Sequence, residues 1–152
     1  MNRSASEEWE TPWEFFDKLN QEFHFDLDVC ASDRNAKCYL FISKERNALE
    51  TDWHGTCWMN PPYGKQIKYW MKKAYEESLK GNTVVCLIPS RTDAGWWHDY
   101  AMKGEIRFIR GRLKFGGSPY NAPFPNAIVI FRGEKNANNQ RIQDDQREAD
   151  MP

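Results

Sequence analysis

Hydrophobic residues recur along the chain with two different spacings, which predict helices alternating with strands. A first helical spacing is formed by Phe15, Phe16, Leu19 and Phe23. A second runs from Ile67 to Leu79, with apolar side chains at positions 67, 70, 71, 74, 75 and 79. Each spacing gathers its apolar side chains on one face, which indicates a helix packed against a core.

Short apolar runs predict the strands. Residues 25–30 alternate apolar and polar side chains, 38–42 is a second short strand, and 56–59 is a third. Residues 83–88 are continuously apolar and β-rich, which is typical of a strand buried on both faces of a parallel sheet. Three further strands are predicted at 105–109, 112–115 and 127–131. Helices alternating with strands, followed by strands alone, predict an α/β sheet with an antiparallel end.

Polar signals between these elements predict where the helices begin. Thr11-Pro12-Trp13-Glu14 has the pattern of a capping box, so we expect Thr11 to cap the first helix and Pro12 to open it. Thr92 or Asp93 is expected to cap a short helix near Trp96.

The distribution of apolar residues also predicts the domain organisation. Residues 1–10 are polar and lack periodicity, so we expect a flexible amino-terminal arm. Residues 133–152 are almost entirely polar or charged, which is typical of a disordered tail. The predicted folded domain therefore spans residues 11–132.

Composition adds limits to this picture. With 152 residues, 40% hydrophobic and 28% charged, the chain is typical of a globular protein, and its net charge of −1 provides no global attraction for nucleic acid. The four cysteines and three histidines lack metal-ligand spacing, so we expect free thiols and no metal. No signal peptide or membrane-length apolar run is present, and we expect a cytoplasmic protein.

The segment Trp58-Met59-Asn60-Pro61-Pro62-Tyr63-Gly64 separates the third strand from the second long helix. Its two prolines remove two backbone donors, fix φ and keep the preceding residues out of the helical region. Asn60 is therefore expected to end a strand on a stiff turn, beside the ring of Tyr63. This arrangement suits a flat group that carries an NH2, although Asn-Pro and Pro-Pro are also common turn signals.

Polar groups follow two other strands, in residues 28–35 and 89–93. Because ligands of open α/β sheets bind beyond the carboxyl ends of the strands, we expect all three ends to meet in one crevice. The helix start at Thr11-Pro12 can cover it and hold a carboxylate. The site would thus offer an acid that suits an amine, a helix start that suits a carboxylate, and the turn at Asn60 to Tyr63, which suits an amino-bearing ring. Together these groups match S-adenosylmethionine bound beside a nucleobase. Neither a glycine-rich phosphate motif nor a Cys–His or Ser–His nucleophile is evident.

Several segments occur in a fixed order: Thr11-Pro12, Phe25-Asp26-Leu27-Asp28-Val29-Cys30-Ala31-Ser32, Asn35-Ala36-Lys37-Cys38, Trp58 to Gly64, Leu87-Ile88-Pro89-Ser90-Arg91-Thr92-Asp93 and Gly111-Arg112-Leu113-Lys114-Phe115. This series resembles the phage-type DNA N-6-adenine methyltransferases (Dam-like) over residues 11–131. The resemblance implies an abbreviated Rossmann-like class I S-adenosylmethionine-dependent methyltransferase sheet. It also implies double-stranded DNA as the substrate and a phage or prophage origin in a bacterial host.

The resemblance further implies roles for individual residues. Asn60 and Pro61 would accept hydrogen bonds from the N6 amino group of adenine, and Tyr63, next to Pro62, would stack on a base flipped from the duplex. Residues expected to bind the cofactor are Thr11, Pro12, Asp28, Ala31, Ser32, Asn35, Leu49 and Asp52. Residues expected to contact DNA are Arg91, Trp96, Arg112, Lys114 and Phe115.

Two features depart from methyltransferases of this class. No glycine lies between Phe25 and Asp52, where a glycine-rich turn usually lets the backbone approach the cofactor. The span from Asp28 to Asn60 is too short for two full βα units, so we expect the first crossover helix to be shortened or missing. A separate target-recognition domain has no room either, which leaves the loop 116–125 as the expected reader of DNA.

Other interpretations stay open. The acceptor can be a protein amide or an RNA base, or the chain can be a non-catalytic nucleic-acid-binding module with a degenerate methyltransferase fold. Asp28 can simply be satisfied by neighbouring N–H groups. The basic residues between 103 and 114 can be a solvated sheet edge.

Overall fold

The computed structural model describes residues 9–116 and 118–133, and its centre is one six-stranded sheet. The strands are β1 (Leu27–Asp28), β2 (Leu40–Phe41), β3 (Thr56–Met59), β4 (Thr83–Pro89), β5 (Glu105–Phe108) and β6 (Asn126–Phe131). Their order is β2-β1-β3-β4-β6-β5; the first four are parallel, and β6 is antiparallel to both neighbours. The predicted α/β sheet with an antiparallel end is confirmed.

Three α-helices accompany the sheet in the described ranges: α1 (Trp13–Phe23), α2 (Ile67–Leu79) and α3 (Gly95–Asp99). Short 3-10 turns lie at Lys44–Arg46, Ala48–Glu50 and Ala101–Lys103. The predicted apolar spacing of α1 places Phe16 in the core, where its ring centroid lies 5.3 Å from that of Trp58 on β3. None of these helices is long and apolar enough to cross a membrane.

The core is densest at β4 and β6. Every residue of both strands is buried, as the continuous apolar run at 83–88 predicted, and the two strands pair along six positions. Full burial of one valine, leucine or isoleucine side chain stabilises a fold by roughly 1.5–3 kcal/mol. The carboxyl end of β4 is therefore a rigid support for the residues that follow it.

The first crossover is reduced, as predicted. Between β1 and β3 the chain forms β2 and two 3-10 turns, without an α-helix. β1 and β2 are shorter than the predicted runs 25–30 and 38–42, because the chain beyond β1 folds back onto the Asp28 carboxylate. That carboxylate accepts hydrogen bonds from the backbone N–H groups of Cys30 and Lys37.

The predicted strand at 112–115 is wrong. These residues are irregular, with the Leu113 carbonyl accepting a hydrogen bond from the Ala122 N–H at 2.7 Å. Phe115 is only 2% exposed and contacts Trp9. Phe115 instead belongs to a cluster of aromatic rings with Trp9, Tyr63 and Phe124.

Both predicted helix caps are also wrong. Pro12 stands at the start of α1 without a capping side chain, because the Thr11 hydroxyl is turned toward Asn60. α3 begins after Ala94, again without a side-chain cap, and the Thr92 carbonyl contacts a ring nitrogen of His98 at 2.7 Å.

The predicted amino-terminal arm is wrong at its last two residues. The ring of Trp9 packs on Phe115, and the Glu10 carbonyl accepts a hydrogen bond from the Gly116 N–H at 2.9 Å. The rest of the arm, residues 1–8, lies outside the described residues. So does the predicted tail, apart from Gly133, whose N–H bonds to the Thr83 hydroxyl.

Candidate active site

The carboxyl ends of β1, β3 and β4 lie side by side in the sheet, although the cavity found there is lined mainly by residues that follow β3 and β4 and not by Asp28. Asp28 ends β1, Asn60 follows β3, and Ser90 follows β4. β6 enters at the same edge, where its first residue, Asn126, pairs with Pro89.

The side chain of Asn60 is held by the segment that precedes α1. Its Nδ2 donates to the Trp9 carbonyl and, over 2.9 Å, to Thr11 Oγ1. A carbonyl has no hydrogen to give, so this contact fixes which end of the amide is nitrogen. Both Nδ2 hydrogens are thereby used.

The other end of this amide is available. Asn60 Oδ1 is buried, and no donor in the described part of the chain reaches it. Leaving a buried acceptor unsatisfied costs roughly 1–3 kcal/mol. Asn60 therefore presents a fixed acceptor and no donor, which matches an incoming amine.

The side chain of Tyr63, three residues after Asn60, is held in place by two hydrogen bonds. It is 6% exposed, its hydroxyl donates to the Leu87 carbonyl at 3.1 Å, and the hydroxyl accepts from Asn126 Nδ2 at 3.3 Å. Burial raises the pKa of Tyr63 well above its ordinary value, so the phenol is neutral and cannot act as a base near neutral pH. Of the intervening prolines, Pro61 is buried and Pro62 half-buried.

A cavity of about 480 Å³ lies beside Tyr63, within the usual size range of ligand sites. Aromatic rings pack around it: Phe124 lies 5.2 Å from Trp9 and 5.5 Å from Tyr63, centroid to centroid. Its lining residues are Trp9, Tyr63, Gly64, Lys65, Ile67, Pro89, Arg91, Ala94, Trp96 and Phe124. A flat ring can stack in such a space.

Asp28 occupies the neighbouring strand end and is 3% exposed. Its carboxylate accepts from the Cys30 N–H at 3.1 Å and from the Lys37 N–H at 3.0 Å. Burial raises the pKa of Asp28 to about 6, against these two hydrogen bonds. The structure thus agrees with the simple interpretation that neighbouring N–H groups satisfy Asp28, while its oxygens keep lone pairs for a further donor.

The turn after Asp28 is compact and made of small polar residues. The Ser32 N–H donates to Asn35 Oδ1 at 2.7 Å, and the Ala31 N–H donates to the Ile42 carbonyl at 3.2 Å. Ala31, Ser32 and Asn35 are half-buried. The structure places all three in the turn that follows Asp28.

The two other cofactor candidates lie elsewhere. Asp52 precedes β3, at the end of the strand opposite to Asn60, and its 79% exposed side chain lies 3.7 Å from Lys80. Leu49 is half-buried in a 3-10 turn that packs against α2. The structure therefore does not bring Asp52 to the crevice.

The expected DNA contacts divide into three groups. Arg91, which is exposed, and Trp96, which is half-buried, both line the cavity. Arg112 and Lys114 are exposed in the loop after β5. Phe115 is buried and does not face solvent; its ring packs against Phe124, which lines the cavity.

Sequence reasoning missed three residues of the site. Trp9 holds Asn60 and lines the cavity; its signal was a lone aromatic residue in an otherwise polar segment. Phe124 contributes an aromatic ring to the lining of the cavity, next to Tyr63. Asn126 braces Tyr63 and also donates to the Ile88 carbonyl at 3.1 Å, and no sequence pattern pointed to it.

Three of the four thiols are not suited to act as nucleophiles. All four cysteines are free, and burial raises the pKa of Cys38 and Cys57 to about 12 and that of Cys86 well above its ordinary value. The described residues contain no group of three side chains able to hold a metal ion.

Comparison with known proteins agrees with this geometry. The family described as DNA N-6-adenine-methyltransferase (Dam) matches residues 1–144. The DNA N-6-adenine-methyltransferase of Haemophilus phage HP1 (strain HP1c1) is 38% identical over 140 residues, covering 85% of this chain and 80% of that protein. The protein of the same name from Escherichia phage T1 is 29% identical over 129 residues, covering 68% and 54%. This chain belongs to the DNA N-6-adenine-methyltransferase (Dam) family.

Proposed function

We propose that this protein transfers a methyl group from S-adenosylmethionine to the N6 amino group of adenine at specific sites in double-stranded DNA. One observation carries the proposal: Asn60 offers a buried oxygen that no donor among the described residues reaches, and its amide nitrogen already donates to two acceptors. Such a group accepts from an NH2 and offers no hydrogen in return. The names of the two phage relatives favour adenine in DNA among the amines that fit.

On the base side, Tyr63 and Trp96 contribute rings to a cavity that suits an extruded purine. Flipping a base from the duplex costs a few kcal/mol. Stacking on an aromatic ring is worth about 1–3 kcal/mol, so it offsets much of that cost. Pro61 and Pro62 keep the turn stiff, which preserves the spacing between Asn60 and Tyr63.

On the cofactor side, the residues present fit the charges of S-adenosylmethionine. The Asp28 carboxylate suits an ammonium group, because a bound cation offsets the burial that raises its pKa. The start of α1 at Pro12 has no side-chain cap, so its free N–H groups suit a carboxylate. Ala31, Ser32 and Asn35 form the turn beside Asp28. When bound, S-adenosylmethionine supplies an electrophilic methyl group on a sulfonium.

For the reaction itself, Asn60 acts on the nucleophilic nitrogen. When Oδ1 accepts a hydrogen bond from the N6 amino group, it polarises the N–H bond and raises the electron density on N6. The N6 lone pair is then less delocalised into the adenine ring. This lone pair would then be the nucleophile toward the methyl group that S-adenosylmethionine would supply, with Asp28 and the start of α1 holding the cofactor. The methylated nitrogen then releases a proton to water, so Tyr63 has no need to act as a base.

DNA contacts in this proposal come from exposed cations that lie in loops. Arg91 stands at the mouth of the cavity, and Arg112 and Lys114 project from the loop between β5 and β6. Exposed cations of this kind suit phosphates, which position a protein on DNA. Phe115 acts indirectly, by supporting Trp9.

The proposal is tested by incubating the protein with methyl-labelled S-adenosylmethionine and duplex DNA, RNA or a protein extract in parallel. We expect label in duplex DNA alone. Label in RNA or in protein amides would instead support the other acceptors. Failure to bind the cofactor in calorimetry would support a non-catalytic module.

A further inference from the structure

Thr11 and Trp9 reach Asn60 from a distant part of the chain. Thr11 is 4% exposed, and its Oγ1 accepts a hydrogen bond from Asn60 Nδ2 at 2.9 Å. The Trp9 carbonyl accepts from the same nitrogen. A buried threonine that contacts the side chain at the centre of the site has a defined position relative to it.

Orientation of the amide decides what Asn60 can do. If the amide rotated by half a turn, its NH2 would face the incoming amine, and two donors would oppose each other. The same rotation would place Oδ1 against the Trp9 carbonyl, acceptor against acceptor. The Trp9 carbonyl, which can only accept, therefore selects the orientation in which Oδ1 is free to accept, and the Thr11 hydroxyl adds a second acceptor that stabilises this orientation.

The segment that supplies these contacts is itself anchored. The ring of Trp9 packs on Phe115 and Phe124, and the Glu10 carbonyl accepts from the Gly116 N–H at 2.9 Å. Residues 9–11 are thus tied to the loop that precedes β6. The backbone that carries Thr11 is therefore anchored next to it, and this matters because a mobile hydroxyl would not fix the amide.

We propose that Thr11 is a positioning residue for methyl transfer: its hydroxyl, together with the Trp9 carbonyl, locks the Asn60 amide with Oδ1 toward the amine. This role rests on the proposed function. It differs from the role that family resemblance implied, in which Thr11 holds the carboxylate end of the cofactor. The two roles predict opposite kinetic signatures.

Kinetics of Thr11→Val and Thr11→Ser separate these roles. Valine keeps the shape and removes the hydroxyl, so we expect kcat to fall about 10-fold while KM for cofactor and for DNA stays unchanged. Serine keeps the hydroxyl and should retain most of kcat. Thr51→Val is the matched control, because it also removes a hydrogen-bonded threonine hydroxyl, but one that bonds to backbone carbonyls in a surface turn. A raised KM for cofactor with normal kcat would overturn the proposal.

A second readout does not depend on catalysis. In NMR spectra, the side-chain NH2 of Asn60 should exchange hydrogens with water faster in Thr11→Val than in the wild type or in Thr11→Ser. An unchanged Asn60 signal in Thr11→Val would overturn the positioning role even if the protein is active. If the wild type methylates no DNA, the proposed function fails, and this spectrum still decides whether Thr11 holds the amide.

Discussion

Asn60 and Asp28 end neighbouring parallel strands, yet the fold leaves their side chains in different states. The amide of Asn60 keeps a buried oxygen without a partner in the described residues, whereas the carboxylate of Asp28 accepts two backbone N–H groups. Asn60 can accept a hydrogen bond without any change in its state. Asp28 already accepts two hydrogen bonds, and its charge depends on ionisation of the carboxyl group. In the proposed function, this difference would separate the recognition of the base by Asn60 from the holding of the methyl donor by Asp28.

The largest expected effect comes from removing the side-chain oxygen of Asn60. Asn60→Ala should lower the single-turnover rate of methyl transfer by about 10²–10³-fold, the usual cost of losing one preorganised polar group. Cofactor affinity, measured by calorimetry, should change little, because Asp28 is untouched. Asn20→Ala is the control, since the Asn20 amide also bonds to backbone but at the far end of α1. A normal rate in Asn60→Ala would remove the distinction between the two sites.

Asp28→Asn tests the other side of the comparison. Losing a charge-assisted contact should weaken S-adenosylmethionine binding by roughly 10- to 100-fold. Asp26→Asn is a matched control, because the Asp26 carboxylate accepts the Thr56 N–H at the opposite end of β1. Calorimetry that shows equal affinity for both variants and the wild type would leave Asp28 with a structural role alone.

The dependence of stability on pH sharpens the picture of Asp28. Its pKa is raised from 3.8 to about 6, so the protonated form is the one that favours the folded state. That contribution is complete below about pH 4 and is lost as pH rises through 6. Relative to Asp28→Asn, the free energy of unfolding of the wild type should fall by about 2–3 kcal/mol between pH 4 and 7. Denaturant titrations at several pH values measure this, and a constant difference between the two proteins would contradict it.

The smallest expected effects lie in the loop after β5. Arg112→Ala and Lys114→Ala should each weaken DNA binding a few-fold and lower the slope of log affinity against log salt by about 1. Arg107→Gln should leave that slope unchanged, because Arg107 forms two hydrogen bonds of 2.7 Å with Glu22. Equal slopes in all variants would exclude this loop from the DNA interface.

Elements with strong local signals were predictable from sequence. The periodicity of α2 and the apolar run of β4 gave their positions within one or two residues. Asn60 was also correctly placed at a strand end, because consecutive prolines leave the chain few conformations. Where local chemistry determines structure, the pattern was enough.

Features that depend on distant contacts were not predictable. Thr11 has the local pattern of a helix cap, but its hydroxyl instead bonds to Asn60, far along the chain. Leu113 and Phe115 alternate like a strand, but Phe115 packs on the ring of Trp9 and Leu113 packs against the core. In both cases a tertiary contact outweighed a local preference.

The most direct test of the account is the identity of the methylated product. Unmethylated duplex DNA is incubated with S-adenosylmethionine and either the wild type or Asn60→Ala, and its nucleosides are analysed by mass spectrometry. We predict N6-methyladenine from the wild type and a loss of about 10²-fold or more from the variant. N4-methylcytosine in place of N6-methyladenine, or an undiminished yield from Asn60→Ala, would contradict the central role of the Asn60 oxygen.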